Sequence, residues 1–209
     1  TVFDNALARI IDITIGAIIS FICAYVILPS RVTVDLPGQL ASTIKATQDY
    51  MKSVVVTPEN YSHQKAVECL NNYLLQENNL EAAILKLQDF FTDVSEDIII
   101  YQDLAAASHK LTADISALGT LQEKKLVKNV HIDDQPVMAV MDNMIETVEN
   151  GVKSDKTYLE FLQGLNGKSY VKENLDQYVD WVISDVELLQ ELVDSGADNG
   201  IFGRYRDLT

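Results

Sequence analysis

Cysteine is nearly absent from this chain of 209 residues, which holds two, Cys23 and Cys69. Cys23 lies in an apolar run and Cys69 in a helical stretch, so they form no disulfide framework, which fits a reducing compartment. Basic residues are also few, 16 against 31 acidic, for a formal net charge of −15. Two of the basic and three of the acidic residues precede position 37, leaving 14 against 28 beyond it. So acidic a surface repels nucleic acid and anionic lipid headgroups, both of which need basic patches. Strand signals are scarce, and no internal repeat or low-complexity linker is present.

Catalytic signatures are missing too. His63, His109 and His131 are scattered, and no HExxH, CxxC or His-x-x-x-His spacing exists to hold a metal. Gly164-Leu165-Asn166-Gly167 lacks the spacing and preceding strand of a phosphate loop, and no G-x-S-x-G elbow occurs. Asp142, Glu146 and Glu149 share one helix face without the Glu-x-x-His of a di-metal site, so they read as a solvated face. No cofactor is expected, and the chain does not read as an enzyme.

What is present begins with Ile10–Leu28, IIDITIGAIISFICAYVIL. Only Asp12 in this stretch of 19 residues is ionisable, and Pro29-Ser30-Arg31 ends it. As a helix it would extend about 28 Å, near the hydrocarbon thickness of a bilayer. A secretory signal would carry a basic leader, a shorter apolar core and a small-residue cleavage site, none of which fits here. A buried helix of a large domain is the remaining alternative, and a transmembrane helix is the favoured reading.

Gly16, Ser20 and Ala24 recur every four residues, a small-residue ridge that lets a second helix approach closely in lipid. This helix therefore reads as one piece of a larger membrane bundle. Arg9 and Asp12, three residues apart, read as an ion pair at the interface, with an intramembrane coupling role for Asp12 as the alternative. Arg9 and Arg31 flank the run evenly, and Lys45 and Lys52 tilt the balance toward a cytoplasmic C-terminus.

The expected fold is all-α: one transmembrane helix within residues 1–30, a cytosolic antiparallel helical bundle over 31–197, and a flexible glycine-rich tail over 198–209. Leu36-Pro37 opens a helix with apolar positions at Leu40, Ile44, Ala46, Tyr50, Met51 and Val54. Thr57-Pro58-Glu59 has the composition of a helix start, and Asn78-Asn79 is expected to break the helix that follows. Ser95 opens an alanine-rich helix through Leu118. A loop or frayed helix end between two bundle helices then holds the chain's basic run, Gly119 to Asp134. Helices follow after Pro136, ended by Gly151, over 156–165, and over 170–193.

Arg9-x-x-Asp12-x-x-x-Gly16-Ala17, the apolar stretch and Leu28-Pro29 together resemble the last transmembrane helix of the fusaric-acid-resistance-like (FUSC) membrane proteins, in particular the YccS/YhfK-like branch. Ala106-Ala107-Ser108-His109-Lys110-Leu111 and Ile115-Ser116-Ala117-Leu118-Gly119 resemble a further segment of that branch. The resemblance covers residues 9 to 121 and marks Ser108, His109, Ser116 and Gly119 as motif positions without an assigned role. It implies a polytopic protein of the bacterial inner membrane that exports aromatic acids or similar small organic anions. This chain would be its C-terminal part, with residues after position 30 in the cytoplasm. The expected partners are the lipid bilayer, the remaining membrane helices of the same protein and further copies of it in a homo-oligomer. A membrane-tethered interaction domain without transport activity is the alternative.

Overall fold

A computed structural model describes residues 35–55, 60–90, 95–124, 134–153 and 175–205. They fall within one compact unit, Val34–Asp207. The apolar run Ile10–Leu28, with Gly16, Ser20, Ala24, Arg9 and Asp12, lies outside the described residues. So do Thr57-Pro58-Glu59, most of the basic run, and the segment 156–165. Among the described residues no helix is long and apolar enough to cross a membrane.

The described residues form six helices: α1 (Leu36–Val54), α2 (His63–Phe90), α3 (Ser95–Glu123), α4 (Asp134–Asn150), α5 (Leu175–Asp198) and the short α6 (Ile201–Arg204). No strand occurs among them. Asp35 caps α1, its Oδ1 accepting the Gly38 amide at 2.9 Å, and Pro37 fits the first turn, where an amide hydrogen has no helical partner. At the other end of α1, the Val54 carbonyl accepts from Gln122 Nε2 at 3.2 Å. Gly151 ends α4 with φ of 69°, the left-handed conformation expected of it.

α1 is the central element and packs against α2, α3, α4 and α6. Its expected core positions, Leu40, Ile44, Ala46, Tyr50, Met51 and Val54, are all buried. It also buries Thr43, Thr47, Gln48 and Ser53. Threonine hydroxyls there donate back to the carbonyl four residues earlier, Thr43 to Gln39 and Thr47 to Thr43. Gln48 Nε2 instead donates across to α4, to the Met138 carbonyl and to Asp142 Oδ1 at 2.6 Å.

Helix directions differ in part from an all-antiparallel bundle. Hydrogen-bonded pairs between α1 and α3 advance together, 47 with 108, 50 with 116 and 54 with 122, so these two helices are parallel. α2 lies between them in sequence and runs the other way. Lys153, just past α4, pairs with Asp198 at the end of α5, the same-end contact of parallel helices.

Three sequence-level expectations give way. α2 continues through Asn78-Asn79 because Tyr73, Glu77, Leu80, Ile84 and Leu87 bury one stripe on both sides of the pair. That burial outweighs a propensity cost of about 0.5 kcal/mol per asparagine. α3 likewise runs past Gly119 to Glu123, with Leu118 and Gln122 buried.

The third is the flexible tail over 198–209, which fails up to residue 205. Ile201, Phe202 and Tyr205 are buried, and both rings meet Tyr101 of α3 edge to face, at 6.1 and 6.2 Å. Tyr205 donates its hydroxyl to Asp97 Oδ2 at 2.8 Å, and Arg204 pairs with the same carboxylate. A Cβ at Gly196 would lie 2.6 Å from the Phe202 ring, so α5 needs glycine there to admit α6.

α5 is held to α3 by Lys110, whose Nζ donates to the buried Asp185 and, at 3.3 Å, to Asp114. Burial pushes the Asp185 carboxyl up, and the bond from Lys110 opposes that rise.

Two outcomes follow. Phe202→Ala should cost about 3–5 kcal/mol, because a fully buried ring is removed from a packed site; a urea melt measures it, and a loss under 1 kcal/mol would return α6 to a loose tail. Burial first, and then the bond to Asp97, push the Tyr205 hydroxyl up to about 12 from an ordinary 10.0. The unfolded chain therefore loses this proton before the folded one does, and stability should fall as pH rises from 10 to 12. Tyr205→Phe should flatten that fall in melts taken across the same range.

Candidate functional site

The four-residue spacing of Ser108, Thr112 and Ser116 sets three hydroxyls along one face of α3, which turns toward α1. Ser108 is fully buried and shares a 3.1 Å hydrogen bond with Thr47. Thr112 lies 3.5 Å from the same Thr47 oxygen. Ser116 accepts from the Tyr50 hydroxyl at 3.1 Å and donates to the Thr112 carbonyl. Gly119 continues the face, where a Cβ would sit in ordinary contact with Val54 at 3.5 Å. Of the family-like positions, Ser108, Ser116 and Gly119 thus form the surface on which α1 and α3 pack.

His109, one residue on, is turned about 100° around the helix and faces α2. Its Nδ1 lies 2.6 Å from Glu77 Oε1, and the Tyr73 hydroxyl donates to the same oxygen at 2.8 Å. A carboxylate accepts and does not donate, so the hydrogen in the first contact sits on His109 Nδ1. Glu77 is buried, with its carboxylate at the inner end of a groove between α2 and α3, while the His109 ring is largely exposed. Among the described residues Glu77 Oε2 accepts no hydrogen bond.

Burial, reinforced by the Glu77 carboxylate, pushes the Tyr73 phenol far above its ordinary range. The nearby Thr112 and Ser108 hydroxyls offset part of the rise. Polar side chains therefore line a path from Thr47 in the core, past Ser108, Thr112 and Tyr73, to Glu77 and His109 at the surface. Tyr73 remains a donor at any workable pH, which fixes the orientation of Glu77.

This arrangement favours binding over covalent chemistry. Ser108 adjoins His109 in sequence, but its oxygen faces α1 and not the imidazole, so Ser108, His109 and Glu77 do not make a nucleophilic triad. Among the described residues no cluster of three or more His, Cys, Asp or Glu is placed to hold a metal ion.

Arg9, Asp12, Gly16, Ser20 and Ala24 lie outside the described residues. Sequence reasoning missed Glu77, Tyr73 and Thr47. A lone glutamate in an amphipathic helix reads as solvated, and only the depth of Tyr73 and the approach of α3 make it otherwise. The hydroxyls at 43 and 47 on α1, matched by 108, 112 and 116 on α3, were the available signal.

A double-mutant cycle tests the seam. Thr47→Val and Ser108→Ala should each destabilise by about 1–2 kcal/mol, and the double variant by roughly 1 kcal/mol less than their sum. Strict additivity in denaturant melts would mean that the two hydroxyls are satisfied independently.

No protein-family model, curated protein or solved structure matches this chain.

Proposed function

We propose that the chain is the C-terminal part of an inner-membrane exporter of aromatic acids or similar small organic anions, and that α1–α6 serve it as a cytoplasmic regulatory and oligomerising module rather than as an enzyme. Support for the membrane half comes from sequence: the apolar run Ile10–Leu28, its ridge of Gly16, Ser20 and Ala24, and the family resemblance. Transport itself belongs to the whole protein, since one helix encloses no pathway.

The observation that carries the module's role lies on α2. Val67, Asn71, Leu74, Asn78, Ala82 and Leu85 fall on one exposed line of this helix, and none is charged. Leu75 flanks the line and is also exposed. The line extends about 27 Å on a chain whose net charge is −15. Two copies so acidic repel one another nearly everywhere else, so an uncharged line, with Val67, Leu74 and Leu85 as its apolar contacts, is where they can meet. Its length suits the matching helix of a second copy.

A second reading, a membrane-tethered domain that recruits another protein without transport, is favoured by one feature. Trp181 and Leu188 lie seven residues apart on α5, both exposed, with Tyr178 edge to face against Trp181 at 5.0 Å.

Sedimentation of the detergent-solubilised full-length protein tests the first reading. The wild type should be oligomeric, and Leu74→Glu or Val67→Glu should weaken association at least tenfold, about 1.4 kcal/mol. Gly16→Leu should also weaken assembly by excluding the neighbouring helix. A monomeric wild type, or an oligomer indifferent to both α2 changes, would remove α2 from the interface.

A further inference from the structure

The groove between α2 and α3 has a volume of about 570 Å³ and extends from Glu77 to Leu85 on α2. That stretch is about 12 Å long, too short to seat a docked helix of several turns. The volume lies in the range of small-molecule sites. Its walls are Ile84 and Leu85 from α2 with Ala105 and Ala106 from α3. The two alanines keep α3's wall low and leave room for an apolar body one ring thick.

The polar groups are few, and their charge is mostly of one sign. Glu77 and His109, bonded to each other, stand at one end, Glu81 lies one turn further along α2, and Gln102 stands toward the other end. Among the described residues no lysine or arginine lines the groove. Lys110, the cation next in sequence, is turned to α5 and held by Asp185 and Asp114. Both hydrogen bonds to Glu77 fall on Oε1, from Tyr73 and from His109, so the carboxylate is held in one orientation with Oε2 left to accept. A carboxylate oxygen that no described protein group bonds, at the end of an apolar slot, can receive a donor that carries positive charge.

We propose that this groove binds a small organic cation, a primary ammonium on an apolar body of about one ring. The ammonium donates to Glu77 Oε2, with Glu81 one turn along α2 as a further acceptor, and the ring lies along Ile84, Leu85, Ala105 and Ala106. Organic anions are excluded by the two carboxylates. The site is thus distinct in chemistry from the cargo proposed above, and it does not depend on that proposal: α1–α6 would sense an amine whatever the rest of the protein does.

Isothermal titration calorimetry on the full-length protein tests this with three probes of one shape: 2-phenylethylammonium, the neutral 2-phenylethanol and the anionic phenylacetate. The ammonium should bind with a Kd on the order of 0.1–1 mM. The alcohol and the acid should bind at least tenfold more weakly. Glu81→Gln should weaken the ammonium about three- to tenfold, and Glu77→Gln more. Because Glu77 is buried, Ala106→Phe provides the independent check: Ala106 is exposed, and a ring there fills the slot and should abolish binding without touching a charge. Phenylacetate binding as tightly as the ammonium would overturn the proposal. So would an ammonium signal that Ala106→Phe leaves unchanged, which would mark partition into detergent or lipid. Leu85 borders both the groove and the α2 line, so Val67→Glu, about 27 Å away at the far end of that line, separates this site from the oligomer interface, and the ammonium should bind that variant as it binds the wild type.

Discussion

α1 is covered by neighbours along all but one line, where Ser42, Lys45, Asp49 and Lys52 meet solvent, so the polar side chains off that line must find partners inside the protein. Thr43, Thr47, Gln48 and Ser53 are all buried in this one helix, and an unpaired buried hydroxyl or amide costs about 1–3 kcal/mol. The helix satisfies some of them itself, through bonds from the threonines to carbonyls one turn back. The rest fix what may lie beside it: a hydroxyl-bearing face of α3 and the Asp142 edge of α4. A purely apolar α1 would pack in several rotations, since apolar contact has no direction. The hydroxyls select one, and they also select the parallel arrangement of α1 and α3, because only that direction matches 47 with 108 and 50 with 116.

The same polar chain explains why the surface groove is ordered. Glu77 does not owe its orientation to α2 alone; Tyr73 holds it from below and His109 from across. Tyr73 in turn lies near the α3 hydroxyls that pack against α1. A surface site built on a core network in this way changes shape only if the core does.

How much of this was legible in the sequence depended on range. Apolar periodicity located the core face of α1 and the existence of α3, α4 and α5, since those patterns repeat within one helix. Gly151 was legible because a helix end needs a residue tolerant of positive φ. α6 was not. Three glycines and polar neighbours conceal the fact that Phe202 and Tyr205 seat on Tyr101, a contact spanning about a hundred residues. Asn78-Asn79 misled for the opposite reason: a local preference was visible while the buried stripe that overrides it was split across the break. In the site, Ser108 and Ser116 were singled out, but their role in packing against α1 and the partnership of His109 with Glu77 depend on which helices become neighbours.

The central functional claim is that an apolar N-terminal helix anchors a cytoplasmic helical module in a membrane. Its most direct test is fractionation of cells expressing the full-length protein, with a reporter active only in the cytoplasm fused after Thr209. The account predicts that the protein sediments with membranes, resists extraction at alkaline pH and shows reporter activity. Recovery in the soluble fraction without detergent would make Ile10–Leu28 a buried core helix and would contradict both the anchor and the exporter.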